Sequence, residues 1–249
     1  MTKQFKILLI GDDCNDIYTY GHVKRISPEA PVPIFEPVYT IHHDGMAGNV
    51  RKNLEALGCA VDFLRDKDRV SEKNRLIDER TKQQLLRVDR DVEGKPITFE
   101  TAIPPVYDAI VISDYNKGTV TYKLIEELVQ EVNVPIFVDT KKTDLARLTG
   151  CYVKINALEK SCATSLPDSE HLIVTHGSDG AEWNGWVFPA EIAGDVVDVC
   201  GAGDTFLAAL AYKFLETNKM NEAVIFANKA SAVTVQHIGV YAPRLEQIK

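Results

Sequence analysis

From residue 107 onward, short apolar runs alternate with helical stretches, and each run ends in polar residues. The runs are 108–113, 135–139, 152–155 and 171–175, and the polar clusters begin at Asp114, Asp139, Asn156 and His176. Such alternation is typical of a parallel sheet with crossover helices. The carboxyl ends of parallel strands share one edge, where open α/β sheets bind ligands. The sequence therefore predicts an α/β fold with one shared crevice.

An apolar run near the N-terminus extends this pattern. Residues 5–10 (FKILLI) end at Gly11 and are followed by the acidic and polar side chains of Asp12, Asp13, Asn15 and Asp16. The run predicts a buried central strand, and residues 59–64 predict a second one. At a strand end the carboxylates are placed to bind hydroxyl groups, although a solvated acidic loop is the alternative.

Two segments do not fit the alternation. Residues 17–40 contain the proline-rich stretch RISPEAPVPIFEP, and proline confines strands to edges or bends. Residues 65–95 are dense in charge, which usually indicates a solvated face but here includes arginines suited to an anionic group. We interpret segments at about 17–40 and 72–103 as a small β lid on a single domain that spans residues 1–249.

The stretch DVCGAGDTF, residues 198–206, precedes a strongly apolar helical run that we expect to begin at Asp204. Glycines allow a ligand to approach the backbone, and unpaired N–H groups at a helix N-terminus attract anions. The pattern is consistent with an anion cradle beside a carboxylate, which suits phosphoryl transfer. An ordinary Asp N-cap after a glycine turn is the alternative. A last helix is predicted over residues 221–237, closed by Gly239.

Composition excludes several classes of function. The net charge of −8 argues against nonspecific binding to nucleic acid or to an anionic membrane. The five cysteines are scattered without metal-ligand spacing, which favours reduced thiols. Because no apolar run approaches the length of a membrane span, we predict a soluble, cytoplasmic protein.

Several motifs together resemble one family. DVCGAGDTF is similar to the second signature of the ribokinase-like (PfkB-type) carbohydrate kinases, and DGMAGNVRKNLEALG to their first. RISPEAPVPI, QQLLRVD, DYNKG and VDTKKTD resemble the heptose 7-phosphate kinase branch, which includes the kinase half of the bifunctional ADP-heptose biosynthesis enzyme. The resemblance implies a three-layer α/β/α sandwich with a mostly parallel central sheet and a β lid, ATP and Mg²⁺ as cofactors, and possible dimers formed through lid strands.

The resemblance also implies roles for individual residues. Asp204 would be the general base that accepts a proton from a sugar hydroxyl, and the backbone of Gly201, Ala202 and Gly203 would bind the transferring phosphoryl group. Because the helix N-terminus favours an ionised carboxylate, the base role of Asp204 requires no raised pKa.

The remaining implied roles concern the sugar, the nucleotide and the metal. The sugar pocket would contain Asp12, Asp16, Gly45 and Asn49, the sugar's distal phosphate would contact Arg75 and Arg87 with Lys73, and Asp114 and Lys117 would face the same crevice. Nucleotide contacts are implied for Lys141, Asn156, Thr175, Gly177, Gly180 and Asn228. Asn156 and Glu159 would position Mg²⁺ through water.

Three departures from the family pattern affect the choice of substrate more than the reaction. Gly45-Met46 stands where paired glycines are usual, Lys154-Ile155-Asn156 replaces Thr-Pro-Asn, and the chain is short around residues 65–105. The leading hypothesis is transfer of the γ-phosphate of ATP to O1 of a heptose 7-phosphate. Alternatives are a kinase for fructose, ribose or a hexose phosphate, and a catalytically silent sugar- or nucleotide-binding relative. A dinucleotide-binding oxidoreductase is poorly supported, because no GxGxxG follows the first strand.

Overall fold

The computed structural model describes residues 4–101, 107–190 and 194–248. Its strands are β1 (Lys6–Gly11), β2 (Asp13–Ile26), β3 (Pro33–Met46), β4 (Ala60–Leu64), β5 (Ser71–Asp78), β6 (Gln84–Arg90), β7 (Ala109–Asp114), β8 (Ile136–Thr140), β9 (Tyr152–Asn156), β10 (Leu172–Thr175), β11 (Ala181–Trp183) and β12 (Trp186–Phe188). The helices are α1 (Ala47–Ala56), α2 (Tyr122–Glu131), α3 (Ala157–Cys162), α4 (Ala202–Thr217) and α5 (Met220–Thr234).

The larger sheet has eight strands in the order β12-β11-β10-β9-β8-β7-β1-β4. Pairing is parallel from β4 through β10 and antiparallel for β11 and β12. The carboxyl ends of these parallel strands therefore meet at one edge, as the sequence predicts. Strand β4 pairs with one edge of β1 and β7 with the other, so the strand order reverses at β1. Such a reversal opens a crevice beyond the carboxyl ends of β1 and β7.

Helices cover both faces of the larger sheet because its central strands, such as β1 and β7, bury apolar side chains on both sides. On one face Ile7 and Leu9 pack with side chains of α1, α4 and α5, whereas on the other Leu8 and Ile10 pack with α2. Thr121 caps α2, since its hydroxyl accepts a hydrogen bond from the N–H of Leu124 at 3.1 Å. The arrangement is the predicted three-layer α/β/α sandwich.

The second sheet is formed by the two segments that break the alternation. Its order is β3-β2-β5-β6, and only the β2–β5 pair is parallel. Strand β2 begins two residues after β1 ends and β3 runs directly into α1, so the small sheet is joined to the crevice edge. Residues 91–101 contain no strand, and residues 102 and 103, the end of the predicted lid segment, lie outside the described residues.

Two predicted helix boundaries are wrong. Helix α4 begins at Ala202 with Gly201 as its N-cap, so Asp204 is the third helical residue and not the cap. Gly201 has a φ of +77°, a backbone conformation that residues with a side chain rarely adopt. Because glycine can adopt it at the N-cap, the helix begins at Ala202, two residues before the predicted start at Asp204. Helix α5 ends at Thr234, before Gly239, because the chain turns away after Val235. Over the described residues, no helix is long and apolar enough to cross a membrane.

Candidate active site

The buried carboxylate of Asp204 is the centre of the crevice, and only 6% of this residue is exposed. The Nδ2 of Asn49 on α1 donates a hydrogen bond to its Oδ2 at 2.8 Å. The hydroxyl of Tyr115, just after β7, donates to its Oδ1 at 3.0 Å. These bonds join the two signature segments and fix the direction of the carboxylate. The sequence predicts the proximity of Asn49, but not that of Tyr115.

Burial raises the pKa of Asp204 to about 6, and the charge of Asp139 adds to this shift. The hydrogen bonds from Asn49 and Tyr115 and the positive charge of Lys154 lower the pKa, but less than burial raises it. The helix N-terminus favours the ionised carboxylate, but desolvation outweighs it, so the pKa of Asp204 is higher than the predicted base role requires. A pKa near neutrality suits a general base.

The predicted anion cradle corresponds to the first turn of α4. Helical residues at this end leave their N–H groups without intrahelical partners, and the helix dipole adds partial positive charge. The N–H of Ala202 donates a hydrogen bond to the carbonyl of Val199 at 3.3 Å. It is therefore less available to an anion than the predicted cradle of Gly201, Ala202 and Gly203 requires. A Cβ on Gly203 would lie 3.0 Å from the Nζ of Lys154, which places an ammonium group beside the cradle.

A cavity of about 380 Å³ adjoins the first turn of α4. Its lining combines Ala202 and Gly203 of the cradle with four residues predicted to contact a nucleotide: Thr175, Gly177, Gly180 and Asn228. Valine and phenylalanine side chains of the lining (Val196, Val199, Phe206 and Val235) offer apolar surface for a flat ring. Asn228 donates to the carbonyl of Phe188 at 2.8 Å and so holds one wall in place.

Asn156 and Glu159 bind each other in a capping box at the start of α3. The side chain of each accepts a hydrogen bond from the backbone N–H of the other at 2.8 Å. The other carboxylate oxygen of Glu159 pairs with the ammonium of Lys141. Among the described residues, no group of three or more His, Cys, Asp or Glu side chains could hold a metal ion. Carboxylate and amide oxygens suit Mg²⁺ that keeps several waters, so the residues present fit the predicted role, which stays a prediction.

The predicted sugar pocket lies at the junction of the two sheets. Asp16 is buried and pairs with Arg75 at 2.6 Å. A Cβ on Gly45 would lie 2.4 Å from Asp16 Oδ2, so only glycine leaves that oxygen in place. Asp12 binds the loop after β7 instead, since Oδ2 accepts from the N–H of Tyr115 at 2.8 Å and of Lys117 at 3.1 Å. Its role as a sugar ligand stays a prediction.

Asp114 does not face the crevice, in contrast to the prediction. Its Oδ2 accepts from the hydroxyl of Thr140 at 2.5 Å and lies 3.0 Å from the ammonium of Lys142, while Oδ1 accepts from the N–H of Asn116 at 2.9 Å. Burial also raises its pKa. Asp114 therefore stabilises the carboxyl end of β7 through these buried contacts. The ammonium of Lys117 pairs with Asp91 at 2.6 Å.

Arg87 lies opposite Arg75 across the β5–β6 pair, so the two side chains occupy the same face of the small sheet. Its guanidinium binds both oxygens of Asp89, at 2.7 and 2.6 Å. The structure thus groups the two arginines, but each has an acidic partner.

Three residues of the site have no individual role in the sequence-based predictions: Tyr115, Asp139 and Lys154. Tyr115 lies between the ammonium groups of Lys73 and Lys141, at 5.4 and 5.3 Å from its ring centroid. Asp139 pairs with Lys154 at 2.8 Å. The detectable signal was a lysine inside an otherwise apolar strand, where burying a charge requires a partner.

Comparison with known proteins agrees with this geometry. The family model described as "pfkB family carbohydrate kinase" matches residues 111–248. The bifunctional protein HldE of a Nitratiruptor species is 30% identical over 98% of this chain and 64% of its own length. The HldE protein of Pasteurella multocida is also 30% identical, over 95% of this chain and 61% of its own. The chain thus spans less than two thirds of these relatives.

Solved structures show the same fold at low sequence identity. Ribokinase from Thermotoga maritima has a TM-score of 0.71 at 17% identity, with 98% of each chain covered. Arabidopsis thaliana ribokinase, determined with ribose and ATP, has a TM-score of 0.73 at 16% identity, covering 99% of this chain and 98% of its own. The fold is ribokinase-like, and the chain belongs to the pfkB family of carbohydrate kinases.

Proposed function

We propose that this protein is an ATP-dependent sugar kinase, that Asp204 is its general base, and that its acceptor is O1 of a heptose 7-phosphate. The observation that carries the reaction is the position of Asp204, a buried carboxylate between the crevice and a cavity at the start of a helix. In this proposal residues 1–249 form a single kinase domain, and the small sheet is its lid.

The proposed step needs mainly positioning and electrostatics. The sugar hydroxyl replaces Tyr115 as the hydrogen-bond donor to Asp204 and gives its proton to the carboxylate. Its oxygen forms a bond to the γ-phosphorus of ATP as the bond to the β-γ bridging oxygen breaks, and ADP leaves. N–H groups of the first turn of α4 bind the transferring phosphoryl oxygens. Mg²⁺ would reach the site with ATP, near Asn156 and Glu159, and neutralise phosphate charge.

The choice of acceptor rests on the small sheet. Two HldE proteins resemble the chain over almost its whole length, and Arg75 and Arg87 share one face beside Asp16. Such a pair suits a phosphate on the far end of a sugar. A neutral sugar is the second candidate, because each arginine already has a carboxylate partner.

The pH dependence of the reaction should follow the pKa of Asp204. A general base works only when deprotonated, so kcat/KM is expected to fall about tenfold per pH unit below a pKa of about 6. Steady-state assays from pH 5 to 8 would measure this, with circular dichroism at pH 5 to verify that the fold is intact. A kcat/KM that is flat across this range would exclude Asp204 as the base.

An Arg87→Met variant tests the acceptor. Loss of one charge-assisted bond should raise KM for the heptose 7-phosphate by about tenfold or more and leave KM for ATP unchanged. Arg80→Met is the control, since Arg80 is exposed in the turn between β5 and β6. The assay measures ADP release with a panel of sugars and sugar phosphates. Turnover of neutral sugars alone would refute the heptose assignment, and no turnover of any sugar would refute the kinase.

We also propose that two copies associate through the small sheets. Leu86 and Val88 on β6 are 53% and 50% exposed and lie on the face opposite to Arg87, where they offer apolar surface for a second copy. Light scattering would measure the mass, and a value equal to one chain at micromolar concentration would exclude this dimer.

A further inference from the structure

Lys154 is a buried ammonium group in the middle of β9. Its side chain is 4% exposed, and its neighbours Val153 and Ile155 lie in the apolar core on the other face of the sheet. Burying an ionised ammonium group is costly, so such a residue needs a partner or a task. Over the part of the chain that the structure describes, its hydrogen-bond partner is Asp139 Oδ2, at 2.8 Å. An ammonium group has three N–H donors, and this bond uses one.

The ammonium of Lys154 faces the cradle of the site. A methyl group on Gly203 would lie only 3.0 Å from Nζ, so the ammonium is held against the first turn of α4. Gly203 also lines the cavity that contains the nucleotide-binding candidates. The positive charge of Lys154 reaches Asp204 as well, since it lowers the pKa of that carboxylate. Lys154 thus lies between the base and the cavity.

Among the residues that the structure describes, none forms a hydrogen bond with the second carboxylate oxygen of Asp139, which is buried. The local charges are the carboxylates of Asp139 and Asp204 and two ammonium groups, that of the buried Lys154 and that of the more exposed Lys141, which interacts with both carboxylates and pairs with Glu159. A phosphoryl group that enters this space brings further negative charge, which only a fixed cation or N–H donors can stabilise in a buried site.

We propose that Lys154 binds the γ-phosphoryl group of ATP, with Asp139 holding its ammonium in place. This assignment rests on the proposed kinase function and adds a cation to the backbone N–H groups of the cradle. Resemblance to the family gives no such role, because this chain has lysine where Thr-Pro-Asn is usual. The alternative is a buried ion pair that serves only the fold.

A Lys154→Met variant separates the two roles. Affinity for ADP and for a non-hydrolysable ATP analogue, AMP-PNP, would be measured by calorimetry. If Lys154 contacts the γ-phosphoryl group, the variant should lose about tenfold or more of its AMP-PNP affinity and keep its ADP affinity. The double variant Lys154→Met/Asp139→Asn leaves no unpaired buried carboxylate, and the same selective loss is expected from it.

Lys142→Met is the matched control, because Lys142 is a similarly buried lysine paired with Asp114 at 3.0 Å. It should lower the melting temperature and keep the ratio of the two affinities. An unchanged ratio in the double variant, or equal losses for both nucleotides, would overturn the role of Lys154 and leave the kinase assignment intact. Failure of the wild-type protein to bind either nucleotide would overturn both.

Discussion

Replacing Asp204 with asparagine should reduce kcat by a factor on the order of 10² or more, because the acceptor hydroxyl would lose its general base. The substitution preserves the shape of the side chain. An amide can still accept the hydrogen bond from Asn49 and direct its NH₂ group to Tyr115. Steady-state kinetics with ATP and the preferred sugar would measure the loss. Near-normal turnover would rule out Asp204 as the base.

Asp204→Asn should also be more stable than the wild type at neutral pH. A gain in stability would show that the loss of activity does not result from unfolding. Burial raises the pKa of Asp204 from 3.8 to about 6. Between these two pH values the folded protein therefore retains a proton on Asp204 that the unfolded chain has lost. The ionised carboxylate therefore destabilises the folded state above a pH of about 6, and the penalty disappears as pH falls toward 4. Thermal melts should show the largest gain for Asp204→Asn at pH 8 and little gain at pH 4.

The second large effect is expected for Gly201→Ala. Gly201 has a φ of +77°, and an added Cβ would lie 2.6 Å from the Nδ2 of Asn49. Since Asn49 donates to Asp204, the methyl group would displace the residue that orients the base. We expect kcat to fall by a factor on the order of 10 to 10², given the sensitivity of catalysis to misplacement of this kind. Steady-state kinetics and a melting curve would separate the loss of activity from that of stability.

Gly185→Ala is the matched control for that experiment. Gly185 has the same φ of +77°, but a Cβ there would meet no atom within 4 Å. Both variants therefore have the backbone strain of a left-handed alanine, about 1–2 kcal/mol, and only one has the clash. Equal losses of kcat in the two variants would show that backbone strain alone is responsible and would refute the role of Asn49.

The sequence is sufficient for the architecture because strand and helix patterns are local. Alternation after residue 107 predicts the parallel sheet, and the glycines of DVCGAGDTF predict a helix N-terminus near the site. Asn49 and Asp204 are expected at one site because the resemblance implies that one binds the sugar and the other accepts a proton from it. The exact start of α4 was missed, since it depends on the left-handed conformation of Gly201.

Contacts between distant segments are harder to predict. Tyr115 and Asp204 are 89 residues apart, and no periodic pattern links them. The inward direction of Asp114 follows from its ion pair with Lys142, which depends on the packing of two strand ends. The raised pKa of Asp204 results from desolvation by the whole fold, whereas the sequence indicates only the helix N-terminus beside it.

In the proposed function, the two sheets separate the catalytic groups from those that bind the distal phosphate. The base and the cradle belong to α4 on the large sheet, whereas Asp16, Arg75 and Arg87 belong to the small one. Substitutions confined to the small sheet can therefore change the acceptor without moving the groups that transfer the phosphoryl group. For an evolving lineage or a protein engineer, the small sheet is therefore the first place in the proposed site at which to change the acceptor, while Asp204 and the first turn of α4 stay as they are.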